Sequence, residues 1–152
     1  MIQRIQSVWL LLASVTIFLM LIIPIFIVKD LNAETWLQGT GIYTESEGVR
    51  QKLESISVLM INIIVVGILC LAAIFNFRNR SSQKKVIFGS ILLIFSLTAW
   101  VYISGNDLPG GIAKAEFGAG AFLPLLALLF CVLALRGIRK DEQLLKSADR
   151  LR

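Results

Sequence analysis

The chain has 152 residues, of which 57% are hydrophobic and only 16% are charged. A soluble domain typically has about 45–50% apolar and about 25% charged residues, so this composition excludes an ordinary water-soluble surface. The net charge is +5, but the cations flank apolar runs, as in proteins whose Lys and Arg residues orient membrane helices. Nucleic acid is therefore not an expected partner. The chain has no histidine, which removes the commonest general base and metal ligand.

The first apolar run covers residues 7–28 and contains no charged residue. A helix of this length spans about 33 Å, and the hydrocarbon core of a bilayer is about 30 Å thick. The run therefore predicts a first transmembrane helix, with Pro24 near its outer end. The alternative is a cleaved signal peptide, with Arg4 as its basic start and residues 31–33 as the cleavage site. The apolar run is longer than the roughly 7–15 residues of a signal-peptide core, but the sequence leaves cleavage open.

The polar segment 29–55 is predicted to form an outer loop. Within it, residues 35–38 and 41–44 flank a Gly39–Thr40 turn, a pattern that indicates a short β-hairpin. Thr44 and Glu47 have the spacing of a helix capping box. The second helix is therefore expected to begin in this segment and to project from the membrane by a turn or two.

Three further apolar runs each predict a transmembrane helix. They cover residues 56–77, 86–103 and 119–135, separated by an inner loop at 78–85 and an outer loop at 104–118. The tail, residues 136–152, is basic, and its apolar residues recur at helical spacing. These are Leu144, Leu145, Ala148 and Leu151. The tail is therefore predicted to contain an amphipathic cytoplasmic helix.

The distribution of Lys and Arg predicts the orientation of these helices. Eleven of the 15 cations lie at the N-terminus, in the loop 78–85 and in the tail, and four lie in the two remaining loops. The first group is Arg4, Arg78, Arg80, Lys84, Lys85, Arg136, Arg139, Lys140, Lys146, Arg150 and Arg152; the second is Lys29, Arg50, Lys52 and Lys114. Short cytoplasmic segments carry the excess of Lys and Arg, so both termini are expected in the cytoplasm.

Both ends of the chain carry a family resemblance. The opening segment, Met1–Ala13, and the closing segments Leu123–Leu128, Leu133–Glu142 and Ser147–Arg152 are similar to the family known as Domain of Unknown Function 4293. The resemblance implies a small four-helix protein of the bacterial inner membrane. It implies no activity and brings no functional residues to this chain.

The apolar runs contain few groups capable of chemistry. None holds an Asp, Glu, Lys, Arg or His residue, and such residues usually mark ion paths in membranes. Cys70 and Cys131 lie at similar depth; a disulfide between them is the alternative to two buried thiols that pack as small hydrophobic groups. Asn62 is expected to bridge two helices, the alternative being a polar path. Residues 107–111 are typical of a turn.

The sequence therefore predicts an all-α membrane protein formed by one domain, residues 1–152. Four transmembrane helices form an antiparallel bundle with both termini inside, small outer loops with a short β-hairpin, and an amphipathic C-terminal helix. We expect no catalytic, cofactor-binding or metal-binding residues, no cofactor and no identified small-molecule substrate.

The expected function is that of an accessory or scaffold subunit in the bacterial inner membrane. Its partners would be membrane lipids and other membrane proteins or further copies of itself, and we expect it not to be an enzyme. The alternative is a passive carrier or channel for a small or lipidic solute, in which Asn62 would matter. An enzyme acting from the outer loops would need clustered acids, drawn from Glu45, Glu47, Asp107 and Glu116.

Overall fold

The computed structural model describes residues 3–30, 33–77 and 79–149. Parts of the sequence predictions lie outside these residues: Met1 and Ile2 of the opening segment, the first two residues of the alternative cleavage site, Leu151 of the predicted tail helix, and three of the cations. These cations are Arg78, Arg150 and Arg152.

The first helix, α1 (Gln3–Leu19), is shorter than its apolar run. It ends in a tighter turn, in which hydrogen bonds join residues three apart, as from Met20 N–H to Ile17 C=O at 3.1 Å. This is a common way for a helix to end. Pro24, which has no N–H to donate, follows the turn. The remaining apolar residues form strand β1 (Phe26–Lys29), because β-branched and aromatic side chains suit a strand.

Three further strands follow in the segment expected to be a loop. They are β2 (Glu34–Gln38), β3 (Gly41–Ser46) and β4 (Val49–Glu54). The turn between β2 and β3 is Gly39–Thr40, where the sequence places a hairpin. The helical start predicted from Thr44 and Glu47 is wrong: Thr44 lies in β3, and Glu47 lies in the β3–β4 turn with a φ of 53°.

Three helices and a short strand complete the fold. They are α2 (Ser57–Phe75), α3 (Arg80–Asn106), β5 (Glu116–Phe117) and α4 (Leu123–Asp149). A tight turn joins α2 to α3, where the Asn79 side chain accepts a hydrogen bond from the Ser82 N–H at 3.2 Å and caps α3. The helix α4 is continuous to Asp149, so the segment expected as an amphipathic tail helix extends α4.

The five strands form one antiparallel sheet in the order β4-β3-β2-β1-β5. Alternate residues of a strand face opposite sides of a sheet. One side, the inner face, carries the buried residues Phe26, Val28, Thr35, Leu37 and Ile42, and all of them except Thr35 belong to the same hydrophobic core as the helices. The sheet therefore covers one end of the helix bundle, which we call the sheet end.

The prediction of an all-α fold is wrong. The described residues form a mixed α/β fold with four helices and a five-stranded sheet. Three helical segments are long and apolar enough to cross a membrane: Ser57–Phe75, Arg80–Asn106 and Ala119–Leu144. The apolar helix Ile5–Leu19 is shorter, because residues 26–28 of the run assigned to the first span pair with β2 instead, and residues 26 and 27 also pair with β5.

The bundle is apolar on its outside as well as in its core. Large hydrophobic side chains that are about half exposed or more project from every helix. They include Val8, Leu11, Ile61, Ile68, Phe88, Leu92, Phe95, Leu125 and Leu129. An apolar surface of this extent is typical of a protein–protein or membrane interface.

Candidate functional site

The candidate site is the side of the sheet that faces away from the helices, which we call the open sheet face. Residues that pair directly across antiparallel strands share a face. The pairs Ile27 with Trp36, Trp36 with Tyr43 and Tyr43 with Lys52 therefore form one row across four strands. A second row, nearer the sheet's margin, is formed by Lys29, Glu34, Glu45 and Arg50.

The first row contains a stacked aromatic pair with cations above it. The rings of Trp36 and Tyr43 are 6.0 Å apart and inclined at 15°. The Arg50 guanidinium carbon lies 4.8 Å from the centre of the Trp36 ring, and Lys52 Nζ lies 5.7 Å from that of Tyr43. Each contact contributes about 0.5–1 kcal/mol at an exposed site. The aromatic rings are thereby held in place while remaining partly accessible.

The second row places two carboxylates between two cations. Glu34 and Glu45 are direct cross-strand partners, an arrangement that like charges alone would destabilise. Lys29 pairs with Glu34 on one side, and on the other Arg50 Nε lies 3.8 Å from Glu45 Oε2. The flanking cations offset the repulsion, and the row presents an acidic centre between two basic ends to solvent.

Lys29 also connects the second row to the edge strand β5. Its Nζ lies 2.9 Å from Glu116 Oε2 of β5. The hydrogen bond to Glu116 and the charge of that carboxylate raise the pKa of Lys29 above its ordinary value of 10.5, with a smaller contribution from Glu34. The lysine is therefore charged across the physiological pH range.

A shallow cavity of about 360 Å³ lies on the open sheet face. Its lining combines apolar, aromatic and charged side chains: Ile22, Pro24, Ile27, Glu34, Trp36, Gln38, Glu45 and Arg50. Trp, Tyr and Arg are the residues that most often contribute strongly to protein interfaces. The cavity lining contains two of these three residue types, Trp36 and Arg50.

The edge strand β4 borders this surface. All six of its residues are exposed, including Val49 and Leu53, which are 57% and 58% exposed. An edge strand offers backbone N–H and C=O groups to an added strand. Arg50 and Lys52 lie on the same strand, and charged residues limit indiscriminate edge pairing.

The acids proposed for an enzyme acting from the outer loops do not gather at one place. Glu45 lies on the open sheet face, Glu47 in the β3–β4 turn, Asp107 at the end of α3 and Glu116 in β5. Glu45 is paired instead with Glu34, which the sequence reasoning did not select. Strand register would have been needed to find that pair.

The polar residues singled out within the helices hold the bundle together. Asn62 Nδ2 lies 3.4 Å from Ser96 Oγ, which confirms the expected bridge, here between α2 and α3. Cys70 and Cys131 are both buried and free, as expected for two thiols that pack as small hydrophobic groups. Residues 107–111 form the predicted turn, in which Gly110 and Gly111 have positive φ angles.

The opposite end of the bundle, which we call the charged end, contains polar contacts that the sequence did not indicate. The Gln6 side chain donates a hydrogen bond to Asp141 Oδ2, which joins α1 to α4, and both residues are buried. Lys84 Nζ lies 2.7 Å from a Glu142 carboxylate oxygen, which joins α3 to α4. The partners in each pair lie far apart along the chain, so no local sequence pattern indicates either contact.

Residues 2–151 match the family described as Domain of unknown function (DUF4293), so the chain belongs to this family. No curated protein matches the chain. Family membership supports the resemblance seen at both ends of the sequence, and it assigns no activity.

Proposed function

We propose that this member of the DUF4293 family is an accessory or scaffold protein of the bacterial inner membrane that presents its open sheet face and strand β4 to other proteins. The observation that carries this proposal is the combination of an exposed edge strand with a stacked aromatic pair. Trp36 and Tyr43 supply rigid contact area, and β4 supplies unpaired backbone groups beside them. Both features favour binding of a protein.

The helices support placement in a membrane. Three helical segments have sufficient length and apolar character, and their outward side chains are apolar. Between the charged end and the sheet end, the helices carry no Asp, Glu, Lys, Arg or His over residues 57–75, 86–106 and 123–135. We therefore also propose a role without catalysis, because an enzyme or an ion pump in the membrane usually needs ionisable groups there.

The charged end gives the proposed orientation. Most Lys and Arg residues of the described part of the chain lie there, at the start of α3 and along the last turns of α4. Cytoplasmic flanks carry this excess, so the charged end faces the cytoplasm and the sheet lies on the opposite side. Gln6 contacts Asp141, which supports the same proposed side for the start of α1 and the end of α4.

The alternative role as a passive carrier depends on a polar path near Asn62. The amide nitrogen of Asn62 donates to Ser96 instead, and this contact joins two helices. On the open sheet face, Trp36 and Tyr43 remain partly exposed although they stack on each other. The scaffold role is therefore the better supported of the two.

Photo-crosslinking in intact cells tests the proposal. A benzophenone amino acid at Leu53, on the edge strand, is expected to give an adduct of defined mass with a membrane protein or with a second copy of this chain. The matched position is Ala113, which is also exposed but lies in the segment between α3 and β5. It is expected to give no adduct of that mass.

Charge reversal at Arg50 and Lys52 is the second arm of this experiment. It removes both cations above the aromatic pair and is expected to reduce the Leu53 adduct strongly. Equal adducts from Leu53 and Ala113, or none from Leu53 in cells that contain the protein at its native level, would contradict a docking role for the sheet.

A further inference from the structure

We propose that a groove between α3 and α4 at the charged end is a binding site for an anionic phospholipid. The groove has a volume of about 320 Å³ and is lined by two kinds of side chain. Lys84, Lys85 and Arg139 are cationic, while Phe88 and Leu135 are apolar. A ligand that fills it must therefore be both anionic and apolar.

The order of these residues along the helices matches the layering of a lipid. On α3, Lys84 and Lys85 precede Phe88 by one turn, and on the antiparallel α4, Arg139 follows Leu135 by one turn. One turn rises about 5.4 Å along the helix. Both helices thus place the apolar residue towards the middle of the bundle and the cation towards its end.

Two of the three cations are available to a ligand. Lys84 is engaged with Glu142 at 2.7 Å. Lys85 and Arg139 are exposed, and neither forms an ion pair with another residue in the described part of the chain. An Arg guanidinium binds phosphate through two parallel hydrogen bonds and Lys contributes a point charge. The phosphodiester of a phospholipid is complementary to this pair.

The apolar lining of the groove is complementary to the acyl chains of the phospholipid. Phe88 is 60% exposed although it follows the first turns of a helix that is long and apolar enough to cross a membrane. An acyl chain covering its ring would remove that apolar surface from contact with headgroups and water. Basic pockets between helices on the cytoplasmic side are known to suit anionic headgroups. A free phosphate would leave the apolar lining uncovered, so we commit to the phospholipid.

The inference rests on the membrane placement proposed above, but experiments can distinguish a failure of the lipid site from a failure of the membrane placement. If the protein needs detergent yet shows no preference among lipids, the lipid site is wrong and the membrane placement stands. If the protein is monodisperse in water without detergent, both are wrong.

Native mass spectrometry of the detergent-solubilised protein tests the site. Titration with phosphatidylglycerol is expected to give a saturable adduct, and phosphatidylcholine with the same acyl chains is expected to bind more weakly. Replacing both free cations, by Lys85→Gln with Arg139→Gln, is expected to weaken phosphatidylglycerol binding about 30-fold, because each cation near a membrane surface contributes roughly a five-fold preference for anionic lipid.

The matched control removes the same two charges from nearby. Arg136→Gln with Lys140→Gln changes exposed cations of the same helix that do not line the groove, and is expected to leave the preference nearly unchanged. Equal losses in the two double variants would show diffuse attraction and would overturn the site. So would full displacement of the lipid by millimolar inorganic phosphate.

A fluorescence measurement locates the lipid independently. Phe88→Trp places a fluorescent tryptophan in the groove, and its emission is the difference between the variant and the natural protein. We expect this emission to be quenched more by phosphatidylglycerol with brominated acyl chains than by brominated phosphatidylcholine. Equal quenching by the two lipids would place no specific lipid at this groove and would overturn the proposal.

Discussion

At the sheet end, three close backbone hydrogen bonds help to join the layers, whereas at the charged end polar side chains join the helices. Three glycine N–H groups at the sheet end donate to carbonyl oxygens of the segment that follows α1. These hydrogen bonds run from Gly39 to Met20 at 3.0 Å, from Gly118 to Ile25 at 2.9 Å and from Gly120 to Pro24 at 3.0 Å. The absence of a side chain on each donor lets the two backbones approach this closely.

The joints of the charged end connect the helices through polar side chains. Gln83 Nε2 donates to the Ala73 carbonyl at 2.9 Å, between α2 and α3. The contacts Gln6–Asp141 and Lys84–Glu142, described above, tie α1 and α3 to α4.

This difference determines where the fold tolerates change. A close backbone hydrogen bond of this kind is broken when a Cβ is added to the glycine, because neither backbone segment can move aside. A side-chain joint fails when a partner is removed, at a cost set by how deeply the remaining group is buried. The sheet end should therefore reject additions, and the charged end should respond in graded fashion to deletions.

The largest effect is expected from Gly118→Ala. A Cβ at this position would lie 2.4 Å from the Pro24 carbonyl oxygen and 3.2 Å from that of Ile25. Both obstacles are backbone atoms, so the change should separate β5 from β1 and lower the free energy of unfolding by about 3 kcal/mol, the upper part of the range for overpacking. Thermal unfolding in detergent measures it.

Gly89→Ala is the matched control for this prediction. Gly89 lies within α3, and a Cβ there would have no neighbour within 4 Å. Alanine is favoured over glycine in a helix by about 0.5–1 kcal/mol, so this variant should unfold at the same temperature or a higher one. Similar losses in both variants would remove the steric basis of the comparison.

A smaller loss is expected at the charged end from Asp141→Ala. It leaves the Gln6 amide, in a side chain that is only 5% exposed, without its acceptor. An unsatisfied buried group costs about 1–3 kcal/mol, again measured by thermal unfolding. Asp141→Asn keeps an acceptor oxygen and should lose less. Lys140→Ala, at an exposed neighbouring position, should have little effect; a loss equal to that of Asp141→Ala would show that Gln6–Asp141 is not the joint.

The sequence reasoning succeeded where one local signal decided the structure. Gly39–Thr40 between two alternating segments predicts the β2–β3 hairpin, and the long apolar segments predict α2 and α3. It failed where hydropathy alone was ambiguous. Residues 26–28 are apolar enough to extend a membrane helix, yet they form β1 because Pro24 interrupts the run and paired strands on both sides accept them.

Contacts between distant segments explain the remaining errors. Thr44 and Glu47 satisfy the spacing of a helix cap, but pairing of β3 with β4 overrides that local preference. β5 has two residues, too few for any periodicity to show. On the candidate site, Trp36 and Tyr43 lie within the predicted hairpin, but their stacking and the cations above them follow from register and from β4, which the sequence did not reveal.

The smallest effect is expected from Lys29→Gln, because the sheet end should depend little on side-chain pairs. Lys29 and Glu116 are 61% and 65% exposed, and exposed pairs contribute little to stability. Glu116 raises the pKa of Lys29 in the folded protein above 10.5, so the contribution is complete below pH 10.5 and is lost as pH rises through the higher folded-state pKa. Unfolding temperatures of the natural protein and the variant should therefore nearly coincide at pH 8, and their small difference should vanish above that pKa. The exposed lysine variant Lys114→Gln serves as the control and should show no such pH-dependent difference. If Lys29→Gln destabilised the protein as much as Gly118→Ala, the sheet end would depend on side-chain pairing after all, and the contrast between the two ends would be wrong.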